Sequence, residues 1–132
     1  MRDKLTRTDD EWRTLLTAEQ FRVLRRAGTE PAFSGALTDA SEPGIYACAG
    51  CGAALFSSAA KFHSGCGWPS FWEPIEADAV TEHEDNQFAM RRVEVLCAVC
   101  EGHLGHVFTD GPKPTGLRYC INSVSIAFEP SA

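Results

Sequence analysis

The sequence predicts a mainly β protein that begins with two short helices, and three observations carry that prediction. Two helix-start signatures fall within residues 8–20. From Pro31 onward, short apolar runs alternate with clusters of Gly, Pro, Ser and Asp, the texture of short strands joined by turns. One later stretch, Phe88 to Cys97, has the strict alternation of a half-buried strand.

The first signature is Thr8-Asp9-Asp10-Glu11. A threonine hydroxyl there accepts from the third helical N–H, and the glutamate reaches back to the threonine N–H. Trp12, Leu15 and Leu16 follow as its buried stripe. Thr17-Ala18-Glu19-Gln20 repeats the device, with Phe21 and Leu24 as the apolar face and Gly28 as a left-handed C-terminal cap. Arg22, Arg25 and Arg26 read as a solvated helix face. The expected task of residues 1–28 is packing. In the strand over Phe88–Cys97, one face carries Phe88, Met90, Arg92, Glu94 and Leu96, and the other carries Ala89, Arg91, Val93, Val95 and Cys97. Arg118 to Phe128 is a second expected strand. Thr109-Asp110-Gly111-Pro112-Lys113-Pro114-Thr115-Gly116 between them is a loop.

A chain of 132 residues suits one domain, here 1–132, and 44% hydrophobic residues suffice for an ordinary core. No apolar run is long enough to span a bilayer. The charged start, Met1-Arg2-Asp3-Lys4-Leu5-Thr6-Arg7, has no apolar segment behind it, so a cytoplasmic location is expected. A net charge of −6 argues against a nucleic-acid partner. Six cysteines in a reducing compartment point to metal ligands or catalytic thiols before disulfides.

Cys48-Ala49-Gly50-Cys51 and Cys97-Ala98-Val99-Cys100 are two C-x-x-C pairs. Two intervening residues let a tight turn aim both sulfurs at one ion, and two such knuckles complete a tetrahedral cage. Gly50 and Gly52 ease the first turn. The gap between the pairs is long for a minimal ribbon and suggests an inserted subdomain. Zinc is the default metal, iron its competitor, and two disulfides or free thiols are the alternative. With four sulfurs no coordination position stays open, so the role is structural. His103 is a less fitting substitute for one sulfur.

Cys66 and Cys120 remain. If Arg118-Tyr119-Cys120-Ile121-Asn122 is a strand, then Arg118, Cys120 and Asn122 share a face. A cation beside a thiol favours the nucleophilic thiolate, and an asparagine can donate to an oxygen near the sulfur. A buried structural cysteine is an equally open reading. Cys66 lies in Ser64-Gly65-Cys66-Gly67-Trp68-Pro69, a glycine-flanked loop from which a thiol can swing to meet a sulfenic acid. Trp68 and Trp72 are ordinary core aromatics or, beside a redox thiol, an apolar wall for a methyl group. His103 and His106 are structural histidines or proton donors.

These segments resemble the B-type peptide-methionine-R-sulfoxide reductases. The matching stretches are Cys48 to Cys51, Lys61 to Phe71 (KFHSGCGWPSF), Gly102 to Phe108 (GHLGHVF), Asp110-Gly111-Pro112 and Arg118 to Ser123 (RYCINS), in the family's order over about Glu42 to Phe128. The resemblance implies two antiparallel sheets wrapped into a barrel-like core. It makes Cys120 the nucleophile and Cys66 the resolving thiol. Trp68 matches the tryptophan packed on the sulfoxide methyl, Phe108 falls with the substrate-binding residues, and His103, His106, Arg118 and Asn122 line the polar side. Cys48, Cys51, Cys97 and Cys100 match the zinc ligands of the metal-bearing members. The chain departs from the family pattern at His63, at Gln87-Phe88-Ala89, and at Arg92 and Val93.

The implied cycle starts with Cys120 attacking the sulfoxide of an oxidised protein. A histidine protonates the oxygen, Asn122 holds it, and a Cys66–Cys120 disulfide follows. A thioredoxin-like dithiol protein reduces that disulfide, and the enzyme is expected to be a monomer. Two other classes compete with this reading. A zinc-ribbon binding module has no use for Cys66 or Cys120, and a thiol redox switch needs the pair but shows no epimer preference.

Overall fold

The structure, a computed structural model, describes residues 4–86 and 92–131. Both N-terminal helices form where their caps predict, α1 over Asp9–Leu15 and α2 over Ala18–Arg26. Thr8 N–H donates to Glu11 Oε1 at 2.9 Å and Glu11 N–H to Thr8 Oγ1 at 3.2 Å; Thr17 and Gln20 repeat the exchange at 2.9 and 3.1 Å. Trp12 and Leu16, four residues apart, are buried with Phe21 and Leu24. Leu15 departs from the expected stripe and is 58% exposed, because a helix of seven residues presents one narrow face to the core. The left-handed cap residue is Ala27, φ 55°, rather than Gly28. A glycine is needed at 28 for space, since a Cβ there would meet Arg22 O at 2.9 Å. The arginines are busier than a solvated face suggests. Arg25 lies over the Trp12 ring at 4.6 Å and donates to Cys100 O at 2.9 Å.

Nine strands follow among the described residues. They are β1 (Gly44–Cys48), β2 (Ala54–Ser57), β3 (Lys61–Phe62), β4 (Ser70–Phe71), β5 (Val80–Asp85), β6 (Arg92–Cys97), β7 (His103–Phe108), β8 (Arg118–Ile121) and β9 (Ile126–Pro130). Pairing among the described residues gives two antiparallel sheets, one ordered β2-β1-β9 and the other β3-β4-β8-β7-β6-β5. The expected strand over Phe88–Cys97 is present as β6, with Val95 and Cys97 turned to the core; Phe88 and its neighbours at 87–91 lie outside the described residues. Residues between the cysteine pairs supply strands to both sheets, so no separate subdomain is inserted there.

One expectation fails instructively. Arg118–Phe128 is not one strand, because a 3₁₀ turn over Ser123–Ser125 divides it. Asn122 N–H donates to Leu104 O, Ser125 N–H to Asn122 O, and Ser125 Oγ to the buried carbonyl of His103. The Ser125–Asn122 bond is local and the other two tie the turn to β7; together they give the backbone an alternative to the ladder. The chain therefore leaves the large sheet at Ile121 and enters the small one at Ile126. Val124, Ile126 and Phe128 do not continue the face of Cys120.

Aromatic rings join the two sheets. Phe56 of β2 stacks on Phe71 of β4 at 4.4 Å, and Tyr46 of β1 meets Phe71 edge-on at 5.1 Å. All three are fully buried. Burying such rings is the main apolar contribution to a small domain, and truncating one to alanine costs about 3–5 kcal/mol.

Candidate active site and metal centre

The large sheet sets out a row of side chains by register. Phe62 faces Ser70, Ser70 faces Cys120, Cys120 faces His106, and His106 faces Glu94 across β3, β4, β8, β7 and β6. Residues in register on adjacent strands share a face. Cys120 therefore sits between a hydroxyl and an imidazole. Gly105 permits the tight β7–β8 approach, because a Cβ there would fall 1.9 Å from Cys120 O.

Cys66 Sγ lies 2.8 Å from Cys120 Sγ, and Arg118 Nη1 donates to Cys120 Sγ at 2.7 Å. Arg118 is fixed from two sides. Its Nε and Nη2 donate to the two carboxylate oxygens of Asp110 at 2.8 and 3.2 Å, and its Cζ stands 4.4 Å from the centre of the Phe108 ring. Burial and then the Cys66 contact push the Cys120 thiol up to about 12, while Arg118 pulls the other way. Burial also raises Cys66, but bonds with Cys120, Ser64 and Ser70 outweigh it and take that thiol down to about 7. Two sulfurs this close share one negative charge. Of the two, Cys66 is the thiol drawn down and Cys120 the one pushed up, while the guanidinium favours charge on Cys120. Its hold on that charge grows when the sulfurs separate.

The polar residues divide into two ranks. His106 borders a cavity of about 270 Å³ with Cys120, Cys66, Arg118, Trp68 and Phe108. His106 Nε2 pairs with Asp85 Oδ2 at 2.8 Å, and Arg92 donates to the same oxygen at 3.3 Å. His103 stands behind. It is buried, pairs through Nδ1 with Glu94 Oε2 at 2.6 Å, and is absent from the residues lining that cavity. Burial holds its imidazole below the usual range, against the pull of Glu94. The two rings meet edge-on at 5.5 Å. Asn122 also borders the cavity, but not as the third residue of a strand face. Its Oδ1 accepts from Glu30 N–H at 3.0 Å and its Nδ2 donates to Leu104 O at 3.0 Å. One Nδ2 hydrogen is left over.

The N-terminal segment does more than pack. Thr29 lines the cavity, and Glu30, 2% exposed, ties three site elements together. Its carbonyl accepts from Trp68 Nε1 at 3.0 Å, its N–H goes to Asn122, and its Oε1 accepts from Val124 N–H at 3.0 Å. Glu30, Asp85, Glu94 and the role of Asp110 escaped sequence reasoning. Each acts through a partner at least eight residues away, and a lone carboxylate in a strand or loop carries no local signal. Asp110 and Glu94, inside segments already singled out, were within reach.

The four remaining cysteines converge where β1 and β6 end. All four sulfurs lie within 4.8 Å of one another, with Cys48–Cys100 and Cys51–Cys97 both at 3.6 Å. The two turns are alike. Gly52 N–H donates to Cys48 O and Glu101 N–H to Cys97 O, each at 2.9 Å, and each turn closes on a left-handed residue, Gly52 at φ 81° and Glu101 at φ 62°. Gly50 serves otherwise, sending its N–H to Cys48 Sγ at 3.3 Å beneath Trp12. Four thiolates cannot crowd together without a cation, so this donor set fits one thiophilic metal ion. Since β1 and β6 belong to different sheets, such an ion would clamp the two sheets together.

Comparison with known proteins agrees across nearly the whole chain. A family model described as the SelR domain matches residues 16–130. The peptide methionine sulfoxide reductase MsrB of Methanosarcina mazei is 56% identical over 126 residues, which cover 96% of this chain and 90% of that protein. Its namesake in Azotobacter vinelandii is 56% identical over 128 residues, covering 97% and 96%. That of Thiobacillus denitrificans is 58% identical over 124 residues, covering 94% of each. Among the described residues no helix is long and apolar enough to cross a membrane.

Proposed function

This chain belongs to the SelR family, the B-type methionine-R-sulfoxide reductases, and from that premise we propose how its own residues carry out the reduction. The substrate is the R epimer of methionine sulfoxide in oxidised proteins. Its methyl group packs on Trp68 and Phe108 in the 270 Å³ cavity, and its arrival parts Cys66 from Cys120. Arg118 is then the nearest charge to Cys120 and holds it as thiolate. The Cys120 sulfur attacks the sulfoxide sulfur. His106, held by Asp85 and backed by His103, gives a proton to the oxygen, and the free Nδ2 hydrogen of Asn122 steadies it. The oxygen ends on Cys120 as a sulfenic acid, and methionine leaves. The Cys66 thiol condenses with that sulfenic acid, forming the disulfide and releasing water. A thioredoxin-like dithiol protein returns both cysteines to thiols.

Cys48, Cys51, Cys97 and Cys100 would hold a structural zinc. A Zn–S bond of about 2.3 Å puts tetrahedral sulfurs about 3.8 Å apart, close to the 3.6 Å contacts of the two pairs. The ion would lock the turn that leads into β7, three residues ahead of His106.

The observation that carries the reading is the Cys66–Cys120–Arg118 contact at the cavity wall. Single-turnover reduction of separated R- and S-sulfoxide peptides tests it, with wild type and Cys120→Ser. Methionine should form from the R peptide alone, and the serine variant should lose at least about 10³-fold, as removal of a nucleophile does. Cys66→Ser should complete one turnover and then stall with thioredoxin. Reduction of both epimers, or a fully active Cys120→Ser, would overturn the assignment.

A further inference from the structure

The sulfoxide cavity does not stand alone on the large sheet. A second cavity, of about 440 Å³, adjoins it at Phe108 and Arg92, which line both.

Strand register builds this second cavity. Glu84 of β5 faces Val93 of β6, and Val93 faces Val107 of β7, so the three share one face. Glu82 stands two residues from Glu84 on that same face. Val107 is buried at the edge of the core and Val93 is partly buried against it, which gives the cavity an apolar floor. Glu82 and Glu84 are exposed along one side of that floor. Arg92 and Phe108 are the chain neighbours of Val93 and Val107, so they turn to the opposite face, where His106 stands. A polypeptide leaving the sulfoxide cavity reaches the floor by crossing Phe108 at the strand ends.

The two carboxylates are not matched from within. Glu82 Oε2 accepts from the Tyr119 hydroxyl at 3.3 Å. Burial, and then the charge of Glu82, push that hydroxyl up to about 12, so the donor is neutral at physiological pH. Among the described residues no cation pairs with Glu82 or Glu84. Arg92, the guanidinium in the lining, is engaged by Asp85 Oδ2 at 3.3 Å, and His83 Nε2 meets Thr81 Oγ1 at 3.3 Å. An apolar floor beside two unmatched carboxylates suits a side chain with a long aliphatic stem and a cationic head. Such side chains lay the stem on apolar surface and keep the charge in water.

We propose that this cavity is a subsite for a lysine or arginine side chain of the oxidised polypeptide, a few residues from the methionine sulfoxide. This rests on the reductase reading above and names the substrates that reading favours. The stem lies on Val93 and Val107, and the head reaches Glu82 and Glu84. An extended chain advances about 3.3 Å per residue, so crossing one phenyl ring takes about two residues. The net charge of −6 adds a long-range pull on basic segments.

The test uses the full chain with its metal and dithiothreitol as reductant. Capped heptapeptides carry methionine-R-sulfoxide at the centre and lysine, glutamine or glutamate two residues to either side. The lysine peptides should have a KM about fivefold below the glutamine peptides, the scale of two exposed ion pairs, with kcat unchanged. High salt should narrow that gap. Glu84→Lys should reverse the order, so that the glutamate peptides have the lowest KM. Glu82→Gln, which keeps an acceptor for Tyr119, should shrink the lysine preference. N-acetyl-methionine-R-sulfoxide amide is too short to reach the second cavity, and both variants should reduce it at the wild-type rate. Equal KM values for the three peptide types in wild type, or a lysine preference that survives Glu84→Lys, overturns the subsite. If wild type reduces neither the heptapeptides nor the short amide, the reductase reading fails instead.

Discussion

Two groups of cysteines in this chain are built from the same thiol and stand in different surroundings. At the knuckles, four sulfurs face one another between two sheet ends, roofed by Trp12 and by Arg25 on the Cys100 carbonyl. At the candidate active site, two sulfurs meet at the wall of a cavity, with Arg118 on one of them. The closed cluster can neutralise its charges only with a cation, and it then has no position left for substrate. The open pair has one fixed guanidinium, free space alongside, and a loop in which Gly65 and Gly67 flank Cys66 at left-handed φ of 79° and 94°. Sulfur count and access, more than the thiol itself, separate a structural centre from a reactive one.

Stripping the metal is the strongest way to break that contrast. Structural zinc contributes an apparent ~10–16 kcal/mol in small peptides, against a whole-domain stability of roughly 5–15 kcal/mol. A strong chelator should therefore unfold the protein, with near-UV circular dichroism and reductase activity vanishing together. Cys66→Ser and Cys120→Ser should melt within a few degrees of wild type. A chelated protein that stays folded would make the knuckle dispensable.

Next in size is Arg118→Met, which keeps bulk over Phe108 and removes the charge. Thiolate fraction changes tenfold for each unit of thiol pKa, so single-turnover reduction at neutral pH should slow about 10- to 100-fold with unchanged melting. An unaffected rate would show that Arg118 does not activate Cys120.

Cys66→Ala sharpens the comparison by pH. Cys66 raises the Cys120 thiol, after burial, and Arg118 lowers it. Removing the first and keeping the second should move Cys120 alkylation down from about 12 by about one pH unit or more. Arg118→Met in the same background should move it back up. Iodoacetamide rates against pH read both, and an upward move in Cys66→Ala would contradict the shared-charge account.

The smallest effect is expected for Trp68→Phe, which keeps an aromatic wall but loses the bond from Trp68 Nε1 to Glu30 O. One neutral hydrogen bond is worth about 1 kcal/mol. The KM for R-sulfoxide peptide should rise about fivefold, with the rate at saturation nearly unchanged. A loss confined to the saturated rate would mean that the indole acts on the chemistry rather than on binding.

The first 30 residues show how far local signals reach. Thr8, Glu11, Thr17 and Gln20 announce both helices, because a capping box is complete within four residues. Nothing local announces that the chain just beyond α2 will hold Trp68, Asn122 and Val124 through Glu30. Those bonds span separations of 38, 92 and 94 residues. Asp85 on His106 and Glu94 on His103 span shorter stretches, 21 and 9 residues, that still exceed the reach of a local motif.

By itself the sequence determined what short spacing can encode. It specified two capped helices, two C-x-x-C knuckles, an alternating strand into Cys97, and Arg118 on the face of Cys120. Each needs only neighbouring residues and a fixed backbone period. The tertiary structure alone set the directions in which the two thiols shift, since burial and a 2.8 Å contact between them are the causes. It also decided that Asn122 ends its strand, that His106 and not His103 reaches the cavity, and that Cys66 opens on two sides. These depend on strand register and on which surfaces exclude water, and both exist only once distant segments have packed together.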